Sequence, residues 1–315
     1  VETTIAISDE FKGIRLDKAL AAVCEEYSRT SIQGWLDAGR VRLADEVLTR
    51  RYQVKGGERV VIDIPEPLVH EWIAQSIPLD IVFEDEQVLV VNKEAGMVVH
   101  PGAGNTHGTL LNALIEHCEA LRMLPRAGIV HRLDKDTSGL LVVAKTQLAQ
   151  RKLTKQFKSR TAGREYLAVT EGRLISGGKI DVPVGRHPKN RTRMAAGVGK
   201  PAVSHYRIVS RYRHHSLVRV RLDTGRTHQI RVHFMYAGFP LVGDREYGGN
   251  LKLPPGASDE LIQTLRGFKR QALHAESLRI THPESGEECH WHRGIPSDMR
   301  ELIRALKIDD SNFAK

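Results

Sequence analysis

HRLDKDTSG, residues 131–139, is a polar, loop-forming run set between two apolar stretches, Gly128-Ile129-Val130 and Leu140-Leu141-Val142-Val143. A carboxylate at such a junction is held by a buried scaffold yet can face a substrate, which is the usual geometry of a catalytic group. Asp134 is therefore the candidate nucleophile or base. The plainer reading is that Asp134 or Asp136 caps a turn, as Asp does beside Ser, Thr and Gly.

Two partial matches compete for this region. Asp134-Lys135-Asp136-Thr137 fits the D-x-D-x-T pattern of haloacid-dehalogenase-like phosphatases, where one Asp takes up phosphate and the next works as acid and base around magnesium. In those enzymes the first Asp follows an unbroken apolar strand, whereas His131 and Arg132 intervene here. The later acidic metal ligands are imitated only by Gly243-Asp244-Arg245-Glu246. Further on, Leu273-His274-Ala275-Glu276 carries the H-A-E of zinc nucleobase deaminases. The Pro-Cys-x-x-Cys that should accompany it is absent, and Cys289 with His292 cannot replace it, because a catalytic zinc takes about three protein ligands at fixed spacing. His274 is expected to be structural.

A third set of segments runs through most of the chain in one order. Val91-Asn92-Lys93-Glu94-Ala95-Gly96-Met97-Val98-Val99-His100-Pro101-Gly102 precedes HRLDKDTSG; then come Arg164-Glu165-Tyr166-Leu167-Ala168, GRTHQIRVH at 225–233 and Leu273-His274-Ala275. Together they resemble the RluA-type pseudouridine synthases over about residues 12 to 307, with Glu94 standing where the family usually has proline. The resemblance implies isomerisation of uridine to pseudouridine in large-subunit ribosomal RNA, without cofactor or metal. It implies catalytic roles for Asp134, Tyr166 and Arg231, an inserting role for Arg132 in the place vacated by the flipped base, and apolar packing near that base from Leu273. A D-x-D-x-T phosphatase and a non-catalytic S4-type RNA-binding protein are the competing readings.

Composition narrows the class. The 315 residues suffice for two domains with sizeable cores. No apolar run approaches the roughly 20 residues needed to cross a bilayer, and no signal peptide opens the chain, so a cytoplasmic, non-membrane protein is expected, as a monomer. Cys24, Cys118 and Cys289 are widely spaced and odd in number, which indicates neither a disulfide framework nor a cysteine metal site. The net charge of +9 suits a polyanionic partner. It is unevenly spread: residues 1–75 hold 10 Lys and Arg against 13 Asp and Glu, so the remainder carries the cationic excess.

Leu16, Ala19, Leu20, Val23 and Cys24 recur at helical spacing. A second short helix is expected, capped by Ser28 or Thr30, burying Ile32, Trp35 and Leu36, and stopped by Gly39. Strand-like Val41–Leu43 and Val60–Ile64 follow. This unit, 12–75, resembles the S4 RNA-binding module, which implies phosphate contacts from Arg29, Arg40, Arg42, Arg50 and Arg51. A linker is expected from Pro65 to about Pro78. The second unit, 79–307, shows strand candidates Val88–Asn92, Leu140–Ala144, Tyr166–Thr170 and Val218–Leu222, alternating with helical stretches such as Leu148–Ser159. An α+β class follows, and the resemblance implies a long mixed, mostly antiparallel sheet with the cleft across its middle. Residues 249–258 look like a surface insertion, and disorder is expected after Lys307.

The chemistry constrains the site. An aspartate that must stay ionised in a cleft excluding water needs a cation beside it, and a guanidinium keeps its charge. With Thr227 capping a helix that Gly238 ends, and Ile230, Phe234 and Ala237 buried, Arg231 would lie off the stripe beside His228, facing the cleft. Two basic segments, Arg186, Lys189, Arg191 and Arg193, and Arg207, Arg211, Arg213, Arg219 and Arg221, suit an RNA backbone.

Overall fold

Along the strand Arg59–Asp63 successive side chains point to opposite faces, so Val60 and Ile62 turn inward while Val61 stays half-buried. In the computed structural model, which describes residues 2–24, 27, 29–65, 72–102, 104–190 and 192–313, this strand is the hub of an N-terminal unit. That unit comprises β1 (Glu2–Ala6), α1 (Leu16–Val23), α2 (Arg29–Asp37), β2 (Val41–Leu43), β3 (Glu46–Val47) and β4 (Arg59–Asp63). The sheet runs β1-β4-β2-β3, antiparallel throughout. Leu16, Ala19 and Leu20 of α1 and Ile32 and Leu36 of α2 pack on it, as their spacing predicts. Gly39, at φ +71°, takes the left-handed turn that ends α2. Strand β1 was not expected from the sequence. Of the two expected caps, Thr30 falls inside α2, and Ser28, like residues 66–71 of the expected linker, lies outside the described residues.

The larger unit contains β5 (Ile81–Glu84), β6 (Val88–Lys93), α3 (Leu110–His117), β7 (Ser138–Ala144), α4 (Gln147–Ser159), β8 (Gly163–Glu171), β9 (Gly178–Asp181), β10 (Val184–Arg186) and β11 (Met194–Ala196). These are followed by β12 (Val203–Arg211), β13 (His215–Leu222), α5 (Gln229–Tyr236), α6 (Asp259–Gly267), β14 (Leu273–Thr281), β15 (Glu288–His292) and α7 (Ser297–Phe313). The sheet order is β5-β6-β7-β14-β8-β13-β12-β9, with β15 on β14. Among the described strands of this sheet only the β7–β14 pairing is parallel, so the expected mixed, mostly antiparallel sheet is what forms. Apolar residues in β6 and β7 alternate between faces: Leu89, Val91, Leu141 and Val143 face α3, while Val88, Val90, Leu140 and Val142 face Ala149 and Leu153 of α4. In β8 the same alternation sends Tyr166 and Ala168 to the first core and Leu167 and Val169 under α6 and α7.

Two expectations need correction. The chain beyond Lys307 is not disordered: α7 continues to Phe313, and buried Asp309 accepts the Ser258 amide at 2.7 Å. Its apolar periodicity, through Met299, Leu302, Ile303 and Leu306, buries one face against the sheet. Trp72 packs on the main core, and the Gln75 amide and the Ile73 carbonyl bond to Asn112. The segment read as the end of a linker is therefore fastened to the larger unit. Residues 249–258 form no helix or strand, as an insertion would, and no described helix is long and apolar enough to cross a membrane.

Candidate active site

Leu133 is buried and Thr137 is buried, so the turn between them is anchored at both ends while Asp134 stays partly open. The turn is closed by the Asp134 carbonyl, which accepts the Thr137 amide at 3.0 Å. Among the described residues the Asp134 carboxylate makes no capping bond, so the plainer reading of this residue does not hold. Neighbouring elements clamp the loop. Lys93 donates to the Glu94, Met97 and Lys135 carbonyls at 2.7, 2.9 and 2.9 Å, and burial pulls its pKa down to about 8 against the opposing charges of Asp136 and Asp134. Arg270, held by both oxygens of Asp298, reaches the Asp136 carbonyl, and Gln271 donates to Thr137 Oγ1. Gly139, at φ +117°, lets β7 approach β14; a Cβ there would lie 2.3 Å from the Ala275 carbonyl oxygen. His274 bonds Ser138 Oγ and the Arg293 carbonyl, the structural role expected of it.

GRTHQIRVH divides its labour by helical face. Gln229 accepts the Thr224 hydroxyl and the Arg226 amide through Oε1 and donates to Val203 and Ser204 through Nε2. One turn on, His233 bonds Ser204 Oγ and the Val182 carbonyl. These two residues fix α5 to β12, which leaves His228 and Arg231, three apart, on the cleft side. Thr227 does not cap this helix: His228 occupies the N-cap in the left-handed region, and no side chain caps it. Ala237 is exposed, whereas Ile230 and Phe234 are buried as expected.

Arg231 Nη1 lies 3.6 Å from Asp134 Oδ2. Its Nε and Nη2 form a fork on Asp244 at 2.7 and 2.9 Å, and Nη2 also meets Glu246 at 3.0 Å. The guanidinium lies 4.8 Å from the Tyr247 ring centre. Burial alone would lower its pKa; the bond to Asp244 and the charges of Asp244, Asp134 and Glu246 outweigh this and raise it, so Arg231 is a permanent cation. Asp244 also accepts the Glu246 and Tyr247 amides, both at 3.1 Å. The Asp244 and Glu246 carboxylates that the phosphatase reading required for metal are thus engaged by Arg231. Sequence reasoning missed their role, because nothing local to GDREY announces a partner on another element.

Asp134, His228 and Arg231 line a cleft of about 650 Å³ together with Tyr166, Leu273 and exposed Arg132. Tyr166 is 5% exposed, and burial, opposed by Arg164 and assisted by Asp134, keeps its phenol protonated beyond the usual range. His131 stacks on Phe157 and accepts the Val142 amide through Nε2, and its pKa falls to about 3 through burial and then Arg164. His131 Nδ1, His100 Nε2 and Arg164 Nε, all on lining residues, are buried without a partner among the described residues. An anion fixed beside a permanent cation, a buried aromatic hydroxyl and a polar wall suit covalent or proton chemistry on a nucleoside.

The arginines expected to contact RNA in the first unit are mostly paired internally. Arg29 bonds Asp17 at 2.5 and 3.0 Å, Arg40 bonds Asp63 at 2.9 Å, Arg42 pairs with Glu2 and Arg50 with Asp37. Arg51 is exposed. In the basic segments, Arg193 is bound to the Glu246 carbonyl, Arg211 to Leu174 and Ile175, and Arg219 to Glu276, while Arg207 and Arg221 are exposed. Arg191 lies outside the described residues.

The family model described as RNA pseudouridylate synthase matches residues 87–236. "Ribosomal large subunit pseudouridine synthase D" of Vibrio parahaemolyticus is 49% identical over 98% of this chain and 96% of the relative. The protein of that name from Yersinia pestis is 50% identical over 99% and 97%, and that from Escherichia coli O6:H1 is 50% identical over 98% and 95%. Among solved structures, human RNA pseudouridylate synthase domain containing 4 covers 72% of this chain and 92% of its own at TM-score 0.58 and 25% identity. Human domain containing 1 covers 74% and 96% at 0.55 and 26%.

Proposed function

The chain belongs to the RNA pseudouridylate synthase family, and on that premise we propose that it converts uridine to pseudouridine at specific positions of large-subunit (23S) ribosomal RNA. The N1–C1′ bond breaks, uracil turns, and C5 bonds to C1′; the C5 proton leaves and N1 gains one, so no co-reactant is consumed. Asp134 either adds to C1′ or removes the C2′ proton to give a glycal. Arg231 sets a guanidinium 3.6 Å from that carboxylate. Tyr166 packs against the base and, since burial keeps its phenol protonated, takes up the C5 proton only as it passes its own hydrogen on; Leu273 packs beside the base, and Arg132 fills the gap left by the flipped nucleotide, whose unstacking costs a few kcal/mol. The observation that carries the reading is the Asp134–Arg231 pair, backed by Asp244, in a cleft also lined by Tyr166.

The N-terminal unit is proposed as an S4-like RNA-binding module. Its extent is drawn as residues 2–65, because β1 pairs with β4, and the catalytic unit as 72–313, because Trp72 and α7 belong to its cores. Exposed Arg51 and the half-exposed Arg29, Arg40, Arg42 and Arg50 would exchange or share internal carboxylates for phosphate. The substrate is ribosomal RNA, free or in a pre-ribosomal particle, met in the cytoplasm by a monomer. The test is a pseudouridine map of ribosomal RNA from cells lacking the protein. Sites should disappear, return with the parent gene and stay absent with Asp134→Asn; an unchanged map would overturn the reading.

A further inference from the structure

His228 is held in a backbone conformation that few side chains adopt, at φ 55° and ψ 20°. Capping does not require it: no side chain caps the helix there, and Gln229 already pins the turn through Thr224 and Arg226. Backbone strain of this kind persists where the surroundings impose it and clusters at functional sites. Its consequence here is that the ring lines the cleft, with Nε2 3.9 Å from Asp134 Oδ1.

The hydrogen-bond network assigns the tautomer. Tyr247 Oη accepts the Met194 amide at 3.0 Å and lies 2.8 Å from His228 Nδ1. With its oxygen already accepting, the phenol satisfies both groups by donating its hydrogen to Nδ1, which leaves the hydrogen of the neutral ring on Nε2. The charged groups around it are Asp134, Arg231, Glu246 and Asp244. Burial and Arg231 lower its pKa, the three carboxylates oppose this, and the net shift is downward, so the ring is neutral at pH 7.

We propose that His228 is a second substrate-contacting group, whose Nε2–H and the Asp134 carboxylate together grip the 2′-hydroxyl of the flipped uridine, so that the enzyme reads ribose at the target itself. The gap is too long for a direct bond, but an oxygen about 2.8 Å from each atom fits between them. That oxygen must accept from Nε2–H and donate to a carboxylate. Asp134 works at C1′ or C2′ by either route, and nearby the ring oxygen O4′ and the uracil carbonyls can only accept. The 2′-hydroxyl alone does both.

This rests on the functional reading above and deepens it. The test uses full-length protein and two RNAs that differ only in carrying uridine or 2′-deoxyuridine at the target, with single-turnover rates for the parent, His228→Phe and His228→Gln. The parent should favour uridine. His228→Phe should lose about 10- to 100-fold on uridine and less than about threefold on deoxyuridine, so that the preference collapses. His228→Gln, which restores an N–H donor, should recover part of it. If deoxyuridine RNA turns over too slowly to follow, its inhibition constant should be the same for the parent and His228→Phe, while uridine RNA binds the variant more weakly. Tyr247→Phe, which keeps the ring beneath Arg231, should weaken the same preference and covers a failure of His228→Phe to fold. Equal losses on both RNAs, or an unaltered preference, would overturn the proposal alone. No turnover of uridine RNA by the parent would overturn the functional reading as well.

Discussion

At the residue scale, Asp134 and Asp136 stand two positions apart in the same loop but face different surroundings. Asp134 meets Arg231 and His228 in the cleft, while the loop uses Asp136 through its carbonyl, held by Arg270. Asp134→Asn keeps the shape and removes the anion, so it should fold, bind RNA and make no pseudouridine. Activity within about tenfold of the parent would end the assignment. Asp136→Asn should be far milder in the same assay. Asp244 is a sharper case, because removing it leaves a buried guanidinium without its fork. Asp244→Ala should cost about 3 kcal/mol in chemical denaturation and most of the activity. Asp134, Arg231, Tyr166 and Leu273 were legible because their motifs recur in a fixed order. Asp244 was not, since its meaning comes from a helix thirteen residues earlier that only folding brings against it.

At the scale of elements, β6 and β7 were legible because apolar runs that are buried on both faces leave a dense signal, and β13 because Val218, Val220 and Leu222 alternate with Arg219 and Arg221. β12 was read as a basic segment, since its open face carries Arg207 and Arg211 and hides the alternation. α5 was placed correctly but for a wrong reason, as Gln229 and His233 rather than a Thr227 cap hold it. The α1–α2 pair shows how a buried charge organises an element. Asp17, fully buried, accepts from Arg15, Arg29 and Gln33. Burial alone would raise its pKa, but the bonds from Gln33, Arg29 and Arg15 outweigh it and bring it to about 2. A folded pKa below the unfolded value of about 3.9 means the stabilisation is complete above that pH and is lost as pH falls toward 2. Acid titration of the full chain, followed by NMR of α1 and α2, should show this unit loosening across that window. Asp17→Asn should remove that pH dependence and destabilise the unit at neutral pH.

At the scale of the molecule, the two units divide charge and chemistry unevenly. The acidic first 75 residues contrast with a strongly cationic remainder, and four of the five arginines assigned to RNA contact are already paired with carboxylates. Long-range attraction to phosphate must therefore come from the catalytic unit, with the N-terminal unit acting at short range to set register on a folded RNA. Where the chain is cut then matters, for a reason that no linker composition could reveal. Trp72 lines the cleft and Gln75 accepts the Gly108 amide at 2.6 Å, so a cut after residue 75 removes part of the catalytic unit. Deleting residues 1–65 should leave single-turnover pseudouridine formation at saturating RNA within a few-fold of the full chain, while the half-saturating RNA concentration rises and target choice loosens. Deleting residues 1–75 should lower the saturated rate as well. If the shorter deletion folds yet is inactive at saturation, the N-terminal unit builds part of the active site and the proposed division fails. If both deletions behave alike, Trp72 and Gln75 contribute nothing to the chemistry.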